Sequence, residues 1–242
     1  MFLAYGTDIG QNREENQDRV RVESLGDNIC IAVVCDGMGG AASGGVASQL
    51  AVDMFIGRVM ENFRPDMNAN SIRNLLLNAV HYANTCVYEK SMEDIDKNGM
   101  GTTCVAALVQ GKNIYIVNVG DSRAYLLTKE GITQITTDHT YVETLVQSGR
   151  ISAEAAKIHP MRNVITKAVG VEPDVEVDYF ECYEAGNFAV VLCSDGLSGY
   201  CSEELIYCTV FGNNLDEAVK KLIDHSNESG GKDNITAAII AN

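Results

Sequence analysis

Residues Ile29–Gly40 read ICIAVVCDGMGG. The unbroken apolar run, rich in Val and Ile and closed by Asp-Gly, predicts a strand buried on both faces, ending in a turn that leads into a helix. The pattern recurs. Phe188–Cys193, FAVVLC, is followed by Ser194-Asp195-Gly196, and Ile114–Gly120, IYIVNVG, is followed by Asp121. Shorter runs at Phe2–Tyr5, Arg19–Val22, Thr102–Val109, Arg123–Leu127, Val175–Phe180 and Ile235–Ile240 predict further strands. Val175, Val177 and Tyr179 alternate with Glu176 and Asp178, as in a sheet with one wet face.

Two long segments carry apolar residues at helical spacing. They are Gly44–Phe63, with Val46, Leu50 and Met54, and Ser71–Met92, with Leu75, Leu76, Ala79, Val80, Ala83 and Val87. Shorter helices are expected at Tyr141–Gln147, Glu203–Val210 and Leu215–Ser226. Ser148–Pro160 mixes Gly, Ser and charges and reads as a mobile connection. Strands gathered around paired helices predict an α+β layered fold.

The 242 residues are 46% hydrophobic and 21% charged, the composition of one soluble domain spanning 1–242. Eighteen Lys+Arg against 33 Asp+Glu give a net charge of -15, which argues against nucleic acid and anionic membranes as partners. The N-terminus MFLAYGTDIG has neither the basic flank of a signal peptide nor the length of a membrane span, so a cytoplasmic protein is expected. The eight cysteines contain no C-x-x-C pair and read as small buried hydrophobes in a reducing compartment.

Position makes the acids informative. Asp36, Asp121 and Asp195 follow strands, whereas Asp18 and Asp233 precede them, so an antiparallel arrangement brings all five to one edge. Carboxylates gathered there repel one another and titrate upward unless cations hold them. Oxygen donors without His or Cys beside them favour Mg²⁺ or Mn²⁺, and a pair of such ions suits hydrolysis of a phosphate ester. The other reading is that each Asp forms a turn with its neighbour Gly37, Gly120 or Gly196. Similarly, Arg13 is either a surface partner of Glu14, Glu15 or Asp18, or a fork for a phosphate. Asn16, Thr102, Thr103, Ser194 and Asn234 either orient ligands or serve as turn and cap residues. A nucleotide-binding turn at Gly37–Gly40 lacks both the G-K-[ST] ending and the G-x-G-x-x-G spacing.

The ordered set NREENQD (Asn12–Asp18), VVCDGMGG (Val33–Gly40), VGDSRAY (Val119–Tyr125), CSDGLSGY (Cys193–Tyr200) and GGKDNIT (Gly230–Thr236) resembles the metal-dependent protein phosphatase 2C family. GTTC (Gly101–Cys104), TTDHTYVETLVQSGRI (Thr136–Ile151) and HPMRNVITKAVG (His159–Gly170) extend the resemblance over nearly the whole chain. It implies a four-layer α/β/β/α sandwich of two antiparallel sheets flanked by helices. It implies a serine/threonine protein phosphatase that hydrolyses phosphoserine and phosphothreonine with a water activated by two ions, Mn²⁺ or Mg²⁺, and a third, weaker ion. By similarity Asp36 bridges the two ions and the Gly37 carbonyl joins it on one, which Asp18 ligates directly or through water, while Asp195 and Asp233 hold the other. Asp121, with Asp195, matches the third position, and Arg13 binds the substrate phosphate. The implied partners are phosphorylated proteins, namely a bacterial serine/threonine kinase and its substrates. Thr140–Pro160 corresponds to a flap over the site that tunes substrate choice.

One departure stands out. Relatives carry a histidine after DGMGG, assigned as the proton donor to the departing oxygen, and a glutamate four positions on; here the residues are Ala41 and Gly45. The alternative that this suggests is a catalytically weak phosphoprotein-binding module of the same fold. None of the four histidines enters the catalytic set: His81 and His225 lie in predicted helices, His139 follows Asp138, and His159 precedes Pro160 in an expected turn.

Overall fold

The computed structural model describes residues 1–39, 43–93, 97 and 99–242. Its strands are β1 (Phe2–Asp8), β2 (Asp18–Gly26), β3 (Ile29–Met38), β4 (Gly101–Thr102), β5 (Cys104–Gln110), β6 (Asn113–Val119), β7 (Arg123–Thr128), β8 (Gly131–Gln134), β9 (Asp178–Tyr183), β10 (Phe188–Cys193) and β11 (Ile235–Ala241). The helices are α1 (Ser43–Asn62), α2 (Ala69–Met92), α3 (Tyr141–Gln147), α4 (Ala153–Lys157), α5 (Asp195–Ser198), α6 (Glu203–Gly212) and α7 (Leu215–Glu228). Two antiparallel sheets result, ordered β1-β11-β10-β7-β8 and β2-β3-β5-β6-β9, with β4 on the end of β3.

The period of two in each central strand builds the layers. Ile31, Val33 and Cys35 of β3 enter a core with Phe55 of α1 and Leu76 and Val80 of α2. Their neighbours Ala32 and Val34 face Val190 and Leu192 of β10 in a second core between the sheets. Val191 and Cys193 then point the other way, onto Ile206 of α6 and Leu222 of α7. Three apolar slabs therefore separate four layers, helix–sheet–sheet–helix, as the resemblance implies. Each fully buried Val, Ile or Leu contributes about 1.5–3 kcal/mol, so strands apolar on both faces need both helical layers.

Several boundaries differ from expectation for local reasons. The run Thr102–Val109 breaks at Thr103, whose side chain turns to the Asp36 backbone, while Thr102 pairs with Val169. The strand expected at Val175 begins at Asp178, because its partner β6 runs out where Asn118 faces Asp178. In α1 the buried stripe is Ala47, Ala51, Phe55 and Val59; Val46 is exposed, and Leu50 and Met54 only edge the core. Within Ser148–Pro160 the chain forms α4, capped by Ser152, whose hydroxyl accepts from the Ala155 N–H. The hairpin strand β8 and the one-turn α5 carry too little periodicity to be read from sequence. Among the described residues no helix is long and apolar enough to cross a membrane. Of the cysteines, all of them free, Cys30, Cys35, Cys104, Cys193 and Cys201 are buried and Cys208 is exposed.

One buried polar side chain ties a helix to the chain returning from the flap. Asn84 of α2 accepts from the Gly170 N–H at 2.7 Å and donates to the carbonyls of Glu172 and Pro173 at 3.1 and 3.0 Å. Asn84→Ala leaves these groups unpaired and is expected to lower stability by about 1–3 kcal/mol. Urea unfolding checks this: the midpoint falls with the slope unchanged, whereas an unmoved midpoint would assign the amide no net role.

Candidate metal centre

The fold brings the five predicted acids to one edge. Asp18, the first residue of β2, stands directly across the ladder from Asp36, near the end of β3. Asp195 opens α5 after β10, Asp233 lies two residues before β11, and Asp121 follows β6 through Gly120. Small polar residues hold each in place. The Asp36 N–H donates to Thr103 Oγ1 at 2.9 Å, and its carbonyl accepts from the Thr103 N–H and the Thr102 hydroxyl, both at 2.9 Å. Asp18 accepts from Ser194 Oγ at 2.7 Å, a bond that crosses between the sheets, and Ser194 Oγ in turn accepts from the Thr236 N–H at 3.0 Å. Asn234 accepts from the Gln17 N–H and donates to the carbonyls of Ile9 and Glu15, which fixes the loop that carries Arg13. These residues hydrogen-bond the acids or the backbone beside them, and Ser194 also stands at the N-cap of α5.

The glycines beside the acids are not all turn formers. Gly120 has φ +104°, a conformation that glycine adopts without strain. Gly37 and Gly196 are instead required by close backbone approach: an added Cβ would lie 2.1 Å from the Gly44 carbonyl oxygen or 2.0 Å from that of Asn234.

Burial dominates the electrostatics. It pushes the Asp18 carboxyl up to about 6 and that of Asp121 up to about 7, the latter with help from the charge of Asp195. Asp36 is raised further above the carboxylate range, by burial first and then by Asp18, Asp195, Asp121 and Asp233. Asp195 is raised by burial and by Asp233, against a hydrogen bond from the Asp36 carboxyl. Arg13 donates to Asp233 Oδ2 at 2.8 Å, and this hydrogen bond outweighs its burial to raise the guanidinium. A single exposed cation does not balance this many buried acids.

The oxygen donors fit hard cations. Asp18 Oδ1, Asp121 Oδ1 and Asp195 Oδ1 are buried without a hydrogen-bond partner. Among the described residues no three Asp, Glu, His or Cys side chains form a group arranged to hold an ion alone. Mg²⁺ and Mn²⁺ suit such donors, because they keep several waters and need few carboxylates each.

Sequence reasoning missed how the Asp121 turn is held. Thr103 Oγ1 and Ser122 Oγ lie 2.7 Å apart, joining that turn to the Asp36 strand. Arg123 forms a bidentate pair with Asp138, Nε to Oδ1 at 2.9 Å and Nη2 to Oδ2 at 2.7 Å. His139 grips Gly120 twice: its Nδ1 accepts from the Gly120 N–H at 3.0 Å and its own N–H donates to the Gly120 carbonyl at 3.0 Å. The adjacent Asp-His of TTDHT was the available signal, but its partners come from another hairpin. His159 lies in the flap, its Nδ1 accepting from the Met161 N–H. Ala41 lies outside the described residues. At Gly45, a Cβ would come within 3.1 Å of Glu15 Oε1, so a glutamate from the Arg13 loop stands over the residue where relatives carry one.

A model of the protein phosphatase 2C family matches residues 5–238. The serine/threonine phosphatase stp of Listeria monocytogenes serotype 4b is 37% identical over 241 residues, covering 99% of this chain and 95% of its own. The crystal structure of the serine/threonine phosphatase Stp1 from Staphylococcus aureus superposes with a TM-score of 0.92 at 35% identity, covering 99% of this chain and 94% of that one. The catalytic domain of the serine/threonine protein phosphatase PstP, solved in complex with 2 manganese ions, superposes with a TM-score of 0.85 at 33% identity, covering 100% and 97%. With motif order, fold and the placement of the acids in agreement, the chain belongs to the protein phosphatase 2C family.

Proposed function

We propose that residues 1–242 form one catalytic unit, a metal-dependent serine/threonine protein phosphatase acting on phosphoproteins. The observation that carries this is the set of buried carboxyl oxygens left without partners at the edge where Arg13 sits. Asp36, the Gly37 carbonyl and Asp18 would hold one divalent ion, and Asp36, Asp195 and Asp233 a second. Asp121 with Asp195 would take a third, weaker one. Mn²⁺ or Mg²⁺ bound there supplies charge for the phosphoryl oxygens and a water of lowered pKa.

The chain's own residues do the rest. Arg13, paired with Asp233, is half-exposed, so it can turn from Asp233 to grip the substrate phosphate with two N–H groups. Asp36, held through its backbone by Thr102 and Thr103, keeps its carboxyl fixed where both ions would share it. Ala41 has no proton to give. The leaving oxygen therefore takes its proton from water or another group, at a cost of about 10²- to 10⁴-fold relative to a positioned acid. The partners are a serine/threonine kinase and its phosphorylated substrates, and the location is cytoplasmic. The alternative of a non-catalytic module is not favoured, since the relatives are named as phosphatases.

Release of inorganic phosphate from a phosphothreonine peptide tests the reading. Turnover is expected with Mn²⁺ or Mg²⁺, to vanish with chelator, and to fall at least about 10²-fold in Asp195→Asn. Ala41→His is expected to accelerate the peptide more than p-nitrophenyl phosphate, whose phenolate leaves without help; equal gains on both would refute the missing-acid account. Binding of the peptide without turnover under any metal would restore the non-catalytic reading.

The burial shifts also predict a pH dependence for the chelated protein. Between about pH 4, where unfolded carboxyls ionise, and about 6 to 7, where Asp18 and Asp121 ionise in the folded state, the native protein holds protons that the unfolded chain has released. Stability therefore falls as pH rises through that window. Thermal melts with chelator are expected to show this decline, and Mn²⁺ to raise Tm most at its upper end. A metal-free Tm that climbs across the window would contradict the burial of these acids.

A further inference from the structure

The segment between His139 and Gly170 leaves and rejoins the body beside the carboxylates. Its two ends are zipped together: Thr140 bridges Ile165, the Tyr141 N–H donates to the Val164 carbonyl, and the Thr166 N–H donates to that of His139. Below the zip, His139 holds Gly120, next to Asp121, and Val169 pairs with Thr102, whose hydroxyl donates to the Asp36 carbonyl. Whatever rests on this excursion is thus registered against the site.

Its surface joins exposed apolar side chains to a local excess of basic ones. Tyr141, Ile158, Met161 and Val164 are large apolar side chains left exposed, Ile158 at 82%. Tyr141–Lys167 carries Arg150, Lys157, Arg162 and Lys167 against only Glu143 and Glu154, in a chain with 18 Lys+Arg and 33 Asp+Glu. Lys167 is engaged by Glu176 at 2.9 Å. Among the described residues the guanidinium groups of Arg150 and Arg162 have no ion-pair or hydrogen-bond partner. An anionic phosphorylated segment approaching a chain of net charge -15 is repelled over most of the surface and attracted here.

We propose that this surface selects phosphoprotein segments whose phosphorylated residue is flanked by acidic and apolar residues, with Arg150 and Arg162 reading the acids. The proposal rests on the phosphatase reading and adds its substrate class. Charge complementarity identifies the occupant: a basic flank would meet two unpaired arginines, whereas Asp, Glu or a second phosphorylated residue pairs with them and an apolar neighbour covers Ile158 and Met161.

The test compares two phosphothreonine peptides that differ only in flanking Glu or Lys, for the parent chain and for Arg150→Glu combined with Arg162→Glu. Both kcat/KM and peptide affinity by fluorescence polarisation are measured, the second independently of turnover. The parent is expected to prefer the acidic peptide by roughly tenfold at low salt, mostly in KM. The preference should shrink at about 0.3 M salt, where screening shortens to a few ångström. The double substitution is expected to abolish or invert it and to lower the ratio of acidic-peptide to p-nitrophenyl phosphate turnover. Equal handling of both peptides by the parent, or a preference that survives the double substitution, would overturn the proposal. If no substrate, p-nitrophenyl phosphate included, is turned over, the phosphatase reading fails while the polarisation data still decide which flank is bound.

Discussion

Asp18 and Asp36 face each other across the β2–β3 ladder, a placement that costs stability because like charges directly opposite repel. Burial and the approach of Asp195, Asp233 and Asp121 increase that cost. Much of the surrounding structure is arranged around this repulsion. Asp18 is satisfied on one oxygen by Ser194 from the other sheet, so the two sheets are joined by a hydrogen bond at the very edge where they would otherwise be driven apart. The other oxygen is left bare. A fold stabilised by three apolar slabs tolerates such a locally unfavourable edge, and in return presents oxygens that a bound cation would satisfy.

The rigidity of the edge comes from backbone contacts too close for any side chain. Gly37 lies against Gly44 and Gly196 against Asn234, each where a Cβ would overlap a carbonyl oxygen. Around them short hydroxyl side chains take the remaining polar groups: Thr102 and Thr103 on Asp36, Ser122 on Thr103, Ser194 on Asp18. These side chains lose little rotamer freedom on ordering, so the acids are held without mobile supports. The same economy extends outward, where His139 and Asn84 anchor the two ends of the flap through buried hydrogen bonds.

Charge divides the molecule into two functional regions. The body is acidic, and much of its clustered acid lies at the edge itself, where bound cations would offset it. The flap is the basic exception, with Arg150, Lys157, Arg162 and Lys167 against Glu143 and Glu154. On the proposed reading, a substrate that brings a phosphate to an acidic protein would meet Arg13 at the carboxylate edge and the unpaired Arg150 and Arg162 on the flap.

Much of this was legible in the order of residues, because the decisive signals are local. An apolar run on both faces, as in Ile29–Cys35, has one stable destination, between two other layers, and an Asp at the end of such a run marks the edge of a sheet. Hence most strands, the long helices and the gathering of five aspartates at one edge could be read before any coordinates, whereas β8 could not. Other features depend on partners far apart in the chain. Which face of α1 is buried was decided by how closely Ala47 and Ala51 let it approach β3 and α2, shifting the stripe away from Val46. The pairing of Asp18 with Ser194, of Gly120 with His139, and of Glu15 with the space over Gly45 joins loops separated by up to about three-quarters of the chain. The sequence by itself determined which residues bear charge, which strands must be covered, and that acids stand where strands begin and end. Only the tertiary structure decided which oxygens are left without partners, because burial and hydrogen bonding are properties of neighbours in space, not of neighbours along the chain.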